Sequence, residues 1–298
     1  MFSGSLVAIV TPMSADGSID LAAWDRLLDF HLANGTAGIV VGGTTGESAT
    51  LTDAELRELV VRACRRVQGR VPVIAGAGTS STATTIERAR WLSELGADAL
   101  LVVTPAYNKP TQEGLYQHFA ATAAAATVPV VLYNVPGRTA VDMLPPTVAR
   151  LSQLPRIVGL KEAVADVDRI AELKAACRPG FALLSGDDAT ARAAVGAGAV
   201  GVISVTANVA PLQMSQMITA ARAGDLTRAA AIDATLAGLH ETLFVEANPI
   251  PVKWLLARMG LIGEGIRLPL TPLSGRFHAR VEAALRRARG ELPAAATA

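Results

Sequence analysis

The chain has only two cysteines in 298 residues. Cys64 and Cys177 both fall in helical patterns, so small buried hydrophobes are expected rather than a disulfide or metal pair, and a reducing cytoplasm is the expected compartment. An excess of charge of either sign is also missing: 27 basic and 26 acidic side chains leave a formal charge of +1, which gives no electrostatic reason for nucleic acid or an acidic membrane as a partner. The N-terminal stretch MFSGSLVAIVTPM has no basic region, and its apolar part is only strand length, so no secretory signal is expected. The longest uncharged span, Ala193 to Ala221, is interrupted throughout by Gly, Ser, Thr, Asn, Gln and Pro. It reads as a loop, a buried strand and a helix rather than a membrane span. No GxGxxG follows the first strand, and the four histidines have no ligand spacing, so neither a dinucleotide cofactor nor a metal is called for. A small-molecule ligand is the remaining default.

What is present is a repeated alternation. The apolar runs SLVAIVTP, GIVVGGTT, PVIAGAG, ALLVVTP, VVLYNVP, IVGLKEA, FALLSGD and GVISVTA are each followed by turn residues or a helix start, which predicts eight strands. Thr52 and Glu55 have capping-box spacing ahead of the stripe Leu56, Leu59, Val60, Cys64 and Val67, and Pro145 with Pro146 marks another helix start. Strands joined by crossover helices are parallel, and eight such units match a closed (β/α)8 TIM barrel, an α/β fold, better than an open doubly wound sheet. The expected domains are a barrel over 1–224 and a C-terminal helical extension over 225–298. The extension reads as helices at Leu226 to Leu243, Pro249 to Met259 and Phe277 to Arg289, and the end ELPAAATA is expected to fray.

One strand carries a charge it should not have. Lys161 stands inside IVGLKEA, where burial disfavours the ammonium form. A lysine at its reference pKa near ~10.4 is well under ~1% neutral at pH 8, and each unit of depression makes the nucleophilic amine roughly tenfold more available. Of the other three lysines, Lys109 lies in a Pro-flanked loop, while Lys174 and Lys253 lie on predicted helices where solvent reaches the charge. In a barrel, function collects at the carboxyl ends of the strands. Those ends here read GGTTGES, TPAYNKP, YNVPGRT, KEA, SGDD and ISVTANVAP, which brings Thr44, Thr45, Tyr107, Tyr133 and Arg138 to the mouth that holds Lys161. Phenols and hydroxyls can relay protons, and a guanidinium can hold a carboxylate. Asp187 and Asp188 read as a helix N-cap pair.

GTTGES at Gly43 to Ser48, YNVPGRT at Tyr133 to Thr139, GLKEA at Gly159 to Ala163, SGDD at Ser185 to Asp188 and NPIPVKW at Asn248 to Trp254 together resemble the dihydrodipicolinate synthase family, within the pyruvate-dependent class I aldolases. The similarity runs in register from Met1 to about Gly290. The resemblance implies a homotetramer of barrels, a dimer of dimers, and a lyase of lysine and diaminopimelate biosynthesis that needs no cofactor. Its substrates would be pyruvate and L-aspartate 4-semialdehyde. By the same resemblance Lys161 forms a Schiff base with pyruvate; Tyr133, Thr44 and Tyr107 carry protons, Tyr107 coming from the neighbouring subunit; Thr45 holds the pyruvate carboxylate; Arg138 holds that of the aldehyde substrate; and Gly186 and Ile203 line the pyruvate pocket, Ile203 through its carbonyl.

Two alternatives stand beside this reading: a related aldolase or lyase taking another aldehyde, against which Thr44 and Arg138 argue, and a catalytically silent barrel that binds a keto acid. Family members inhibited by L-lysine bind it at a subunit interface through polar side chains. The corresponding positions here are Asp53, Leu56, Ser80, Thr84 and Ala106, with no carboxylate at 84 and no aromatic ring at 106. Losing a charge-assisted bond costs ~1.5 to 3 kcal/mol, so weak or absent feedback inhibition is expected.

Overall fold

In the computed structural model, which describes residues 2–291, the alternation read from the sequence is a closed eight-stranded parallel barrel. The strands are β1 Gly4–Ala8, β2 Gly38–Val41, β3 Val73–Gly76, β4 Ala99–Val103, β5 Val130–Asn134, β6 Ile157–Glu162, β7 Ala182–Ser185 and β8 Gly201–Ser204. β8 closes on β1 with Ile203 opposite Leu6. The helices that cross back between strands are α1 Leu21–Ala33, α2 Asp53–Val67, α3 Thr82–Glu94, α4 Gln112–Ala125, the short α5 Pro136–Thr139, α6 Pro145–Ser152, α7 Val167–Ala176, α8 Ala191–Gly196 and α9 Pro211–Arg222. Three more follow: α10 Leu226–Thr242, α11 Ile250–Arg258 and α12 Gly275–Ala288.

The period-two side-chain alternation of the strands divides the core in two. Leu6, Val40, Ile74, Leu101, Val131, Leu184 and Ile203 point inward and fill the barrel. Val7, Ile39, Val41, Leu100, Leu132, Leu160 and Val202 point outward against the helices. Helix starts follow the local chemistry. Thr52 and Glu55 form the reciprocal capping box at α2, Asp20, Ser81, Thr111 and Asp166 cap α1, α3, α4 and α7 with side-chain oxygens, and proline stands in the first turn of α6, α9 and α11.

Beyond α9 the chain turns at Gly224, with φ +79°, and continues as α10, which packs against both α9 and α12. The expected helix limits agree with α10 to α12 to within two residues. The segment joining α10 to α11 is hydrogen-bonded through Asn248 to Thr45 and Arg138 in the loops after β2 and β5, which ties the extension to the carboxyl end of the barrel. The expected fraying of ELPAAATA falls, from residue 292 onward, outside the described residues. No helix among the described residues is long and apolar enough to cross a membrane.

Candidate active site

Lys161 and Tyr133 are opposite one another on the adjacent strands β6 and β5, both at inward positions. Lys161 is 5% exposed, and its Nζ lies 4.3 Å from the centroid of the Tyr133 ring. Among the described residues it has no ion pair, so neither snorkelling nor a carboxylate partner accounts for it. The position of its stem depends on Gly186. A Cβ there would stand 2.8 Å from Ala163 Cβ and 2.9 Å from Lys161 Cε, so only glycine leaves the lysine stem undisplaced. Ile203, on β8, is buried in the same interior cluster.

Strand alternation sends the next pair of residues outward. Asn134 lies opposite Glu162 in the same register, and Asn134 Nδ2 donates to both Glu162 carboxylate oxygens at 3.0 and 3.1 Å and to Asp142 at 2.7 Å. Arg169 on α7 completes the cluster, donating to Glu162 at 3.0 Å and, through two nitrogens, to Asp142 at 2.8 and 2.9 Å. Burial pushes the Glu162 carboxyl above its ordinary range, against the bonds from Val164 N–H, Arg169 and Asn134. This buried network fastens β5 to β6 one residue beyond the Tyr133–Lys161 pair.

The second half of the site is the turn after β2. Gly42 begins it at φ +65°, where any Cβ would collide with Leu56 Cδ1 at 2.4 Å. Thr44 carbonyl accepts from Glu47 N–H at 3.0 Å, and Thr11 Oγ1 donates to Gly46 carbonyl at 2.7 Å, which pins the turn to β1. Thr45 is buried, and its Oγ1 accepts from Asn248 Nδ2 at 2.9 Å. The same residue reaches Arg138: the Arg138 guanidinium donates to Asn248 carbonyl at 3.2 Å. Glu47, at φ +58°, is buried and ion-paired with Lys253 of α11, and accepts from Arg267 N–H at 3.2 Å.

Three readings from the sequence need correction. Lys253 is not at a solvent-reachable helix position; it is 4% exposed and bound to Glu47. Burial drives its pKa below the ordinary lysine range, opposed by the Glu47 charge. The signal was there, since a lysine inside IPVKWLLA breaks an apolar run as Lys161 does. Asp187 and Asp188 are not a pair of caps. Asp187 accepts from Thr190 N–H and Oγ1 at 2.9 and 2.8 Å, but Asp188 reaches across to the end of β8, accepting from the N–H groups of Val205 and Thr206 at 2.9 and 2.8 Å. Cys64 and Cys177 are not fully buried; both are half-buried, Cys177 at the C-cap of α7. Asn248 stands out in the sequence only as part of NPIPVKW, and nothing local in NPIP signals its partners, which lie 203 and 110 residues away.

Tyr107 stands apart from the others. It is 94% exposed, at φ +75°, in a loop clipped down by Ser80 Oγ donating to Ala106 carbonyl at 2.9 Å and by Asn108 Nδ2 donating to Ser80 carbonyl at 2.9 Å. A tyrosine held out in solvent on left-handed backbone is not part of its own chain's pocket.

A (β/α)8 barrel with a buried, unpaired lysine against a tyrosine ring at the carboxyl end of β6, and threonine hydroxyls on the turn after β2, has the parts that imine-forming lysine enzymes use. The comparisons give the family. The sequence model of the dihydrodipicolinate synthetase family matches residues 1–288. The 4-hydroxy-tetrahydrodipicolinate synthase of Laribacter hongkongensis is 56% identical over 288 residues, covering 97% of this chain and 99% of that one. The enzyme of the same name from Thioalkalivibrio sulfidiphilus is 58% identical over 285 residues, 96% and 97% of the two chains. Among solved structures, the chloride-inhibited dihydrodipicolinate synthase of Acinetobacter baumannii complexed with pyruvate superposes with a TM-score of 0.95 at 48% identity, over 97% and 99% of the chains. The chain belongs to the dihydrodipicolinate synthetase family.

Proposed function

We propose that this chain condenses pyruvate with L-aspartate 4-semialdehyde to give 4-hydroxy-tetrahydrodipicolinate, with Lys161 as the imine-forming nucleophile. The observation that carries the reading is the buried Lys161, free of any carboxylate partner among the described residues, against the Tyr133 ring and with its stem passing Gly186, where no side chain would fit. The relatives named for this reaction, and the neighbour whose structure holds pyruvate, support it.

In this mechanism neutral Nζ attacks the ketone carbon of pyruvate, and the carbinolamine loses water to a protonated imine. The imine draws electrons from the adjacent methyl group, which gives up a proton to leave an enamine. The enamine carbon adds to the aldehyde of the second substrate, whose oxygen takes up a proton, and the amine of that substrate then displaces Lys161 by transimination, closing the ring. The imine is the electron sink, so the chemistry requires neither metal nor cofactor. Tyr133, nearest the nitrogen, with Thr44 and Tyr107 of a neighbouring copy, moves the protons. Thr45 holds the pyruvate carboxylate, Arg138 that of the aldehyde substrate, and Ile203 presents its carbonyl to the lysine nitrogen.

The exposure and strained backbone of Tyr107 support its insertion into a second copy, which makes the working unit a dimer within a dimer-of-dimers homotetramer, acting in the cytoplasm. Weak or absent inhibition by L-lysine belongs to the same proposal. Asp53 is taken by Arg88 and the Ser80 hydroxyl by Ala106 carbonyl, so two of the remaining polar groups are already occupied. Product formation from the two substrates, coupled to a nicotinamide-dependent dihydrodipicolinate reductase, tests the assignment. Turnover with L-aspartate 4-semialdehyde is expected; pyruvate trapped on the enzyme without any turnover would move the reading to another aldehyde.

A further inference from the structure

Asn248 is 5% exposed and belongs to the segment between α10 and α11, yet both of its hydrogen-bonding ends reach residues that hold substrate in the proposed function, on which this inference rests. Its Nδ2 donates to Thr45 Oγ1 at 2.9 Å, 203 residues away, and its backbone carbonyl accepts from the Arg138 guanidinium at 3.2 Å. The amide oxygen Oδ1 is buried and without a partner among the described residues. That asymmetry fixes the orientation of the amide. As placed, the amide leaves one N–H and the oxygen without a partner; turned over, it would leave both N–H donors with no acceptor, and orphaned N–H groups are the rarer and less tolerated case.

A hydroxyl that accepts from an amide N–H has its own proton free to donate elsewhere. Thr45 Oγ1 is thereby committed as an acceptor on the Asn248 side, and its O–H is left free for an anionic ligand. We propose that Asn248 is a positioning residue for the carboxylate of the keto acid: it sets the Thr45 hydroxyl as a donor, while its main chain fixes the arginine that meets the second carboxylate. The C-terminal extension thus enters the chemistry through one side chain. The contact is equally present before and after imine formation, so its loss weakens binding of pyruvate without slowing the steps that follow.

The test uses the full-length protein with two replacements of similar size, Asn248→Leu, which can neither donate nor accept, and Asn248→Asp, which can only accept. Borohydride trapping of pyruvate on Lys161 is measured against pyruvate concentration, and steady-state rates are measured against each substrate. The expected result is a pyruvate half-saturation raised about tenfold in Asn248→Leu and further in Asn248→Asp, where the new carboxylate would accept the Thr45 O–H in the ligand's place, with kcat and the KM for the aldehyde within about twofold of the parent. In a Thr45→Val background Asn248→Leu should cost nothing further, because the group it acts through is gone. Unchanged half-saturation in both variants, additive losses in the Thr45→Val background, or a fall in kcat with both KM values raised alike would overturn the assignment. The parent protein separates this from the reading beneath it: no trapping in the parent refutes the imine itself, whereas trapping in the parent with unaffected variants refutes Asn248 alone.

Discussion

Gly186→Ala puts the site geometry under the most direct strain. The added Cβ would lie 2.8 Å from Ala163 Cβ, 2.9 Å from Lys161 Cε and 3.1 Å from Ala163 Cα. Carbon atoms rest at about 3.5 to 4.0 Å, so something must yield by roughly 0.6 to 1 Å. The glycine cannot retreat easily, because its N–H donates to Glu162 carbonyl at 2.6 Å and holds the end of β7 to β6. Ala163 is held in turn by its N–H to Asn134 carbonyl at 3.0 Å. The lysine stem is the group left to move. Overpacking of this kind costs about 1 to 3 kcal/mol of stability, and a displacement of about 1 Å at a reacting atom costs on the order of a hundredfold in rate. The expected variant folds with a lower denaturant midpoint and forms the pyruvate adduct on Lys161 about a hundredfold more slowly, read by borohydride quenching over time. Parental trapping rates in a folded Gly186→Ala protein would refute the reasoning, because the methyl group would then have found space that the structure does not give it.

Lys253→Met should leave Glu47 charged and buried with no counter-ion, costing about 3 to 5 kcal/mol in denaturant unfolding, and Lys253→Met with Glu47→Gln should recover most of it; an unchanged midpoint in the single variant would contradict the pairing. Acid should destabilise the fold before the carboxylates titrate. Burial holds His31 at about 3 and His118 at about 4, so the unfolded chain takes up protons through the ordinary value of 6.5 while the folded one does not, and stability present at neutral pH is lost as pH falls toward those folded values. At pH 5 this amounts to about 2 kcal/mol for each histidine, and His118→Gln should flatten the pH slope by roughly half; stability that is level from pH 7 to 5 would contradict it. L-Lysine should inhibit the coupled reaction only above about 1 mM, and tighter inhibition would show that Asp53 and Ser80 leave Arg88 and Ala106 to bind it.

The barrel was legible because each strand and helix is specified by residues close together in sequence. The runs of buried aliphatics, the Thr52–Glu55 box and the prolines at helix starts act over a few residues, and the structure has them as read. Lys161 was legible for the same reason, as a charge inside a short apolar strand. What escaped lies in contacts between distant parts of the chain. Lys253 and Glu47 are 206 residues apart, and only the fold of α11 over the turn after β2 turns a helical lysine into a buried one. Asp188 serves β8 rather than its own helix, and Asn134 with Glu162 becomes a network only when Asp142 and Arg169 arrive from the loops around it. Tyr107 marks a different limit, since its loop is clipped by hydrogen bonds within one chain while its side chain stands 94% exposed.

The central claim is that Lys161 is the amine that takes up pyruvate. Incubation with pyruvate, reduction with borohydride and peptide mass mapping tests it most directly, in the parent protein and in Lys161→Ala. One reduced pyruvyl group per chain is expected, found on the peptide containing Lys161 and absent from the variant. An adduct on Lys253 or any other lysine, an equal adduct in Lys161→Ala, or none in the parent would contradict it.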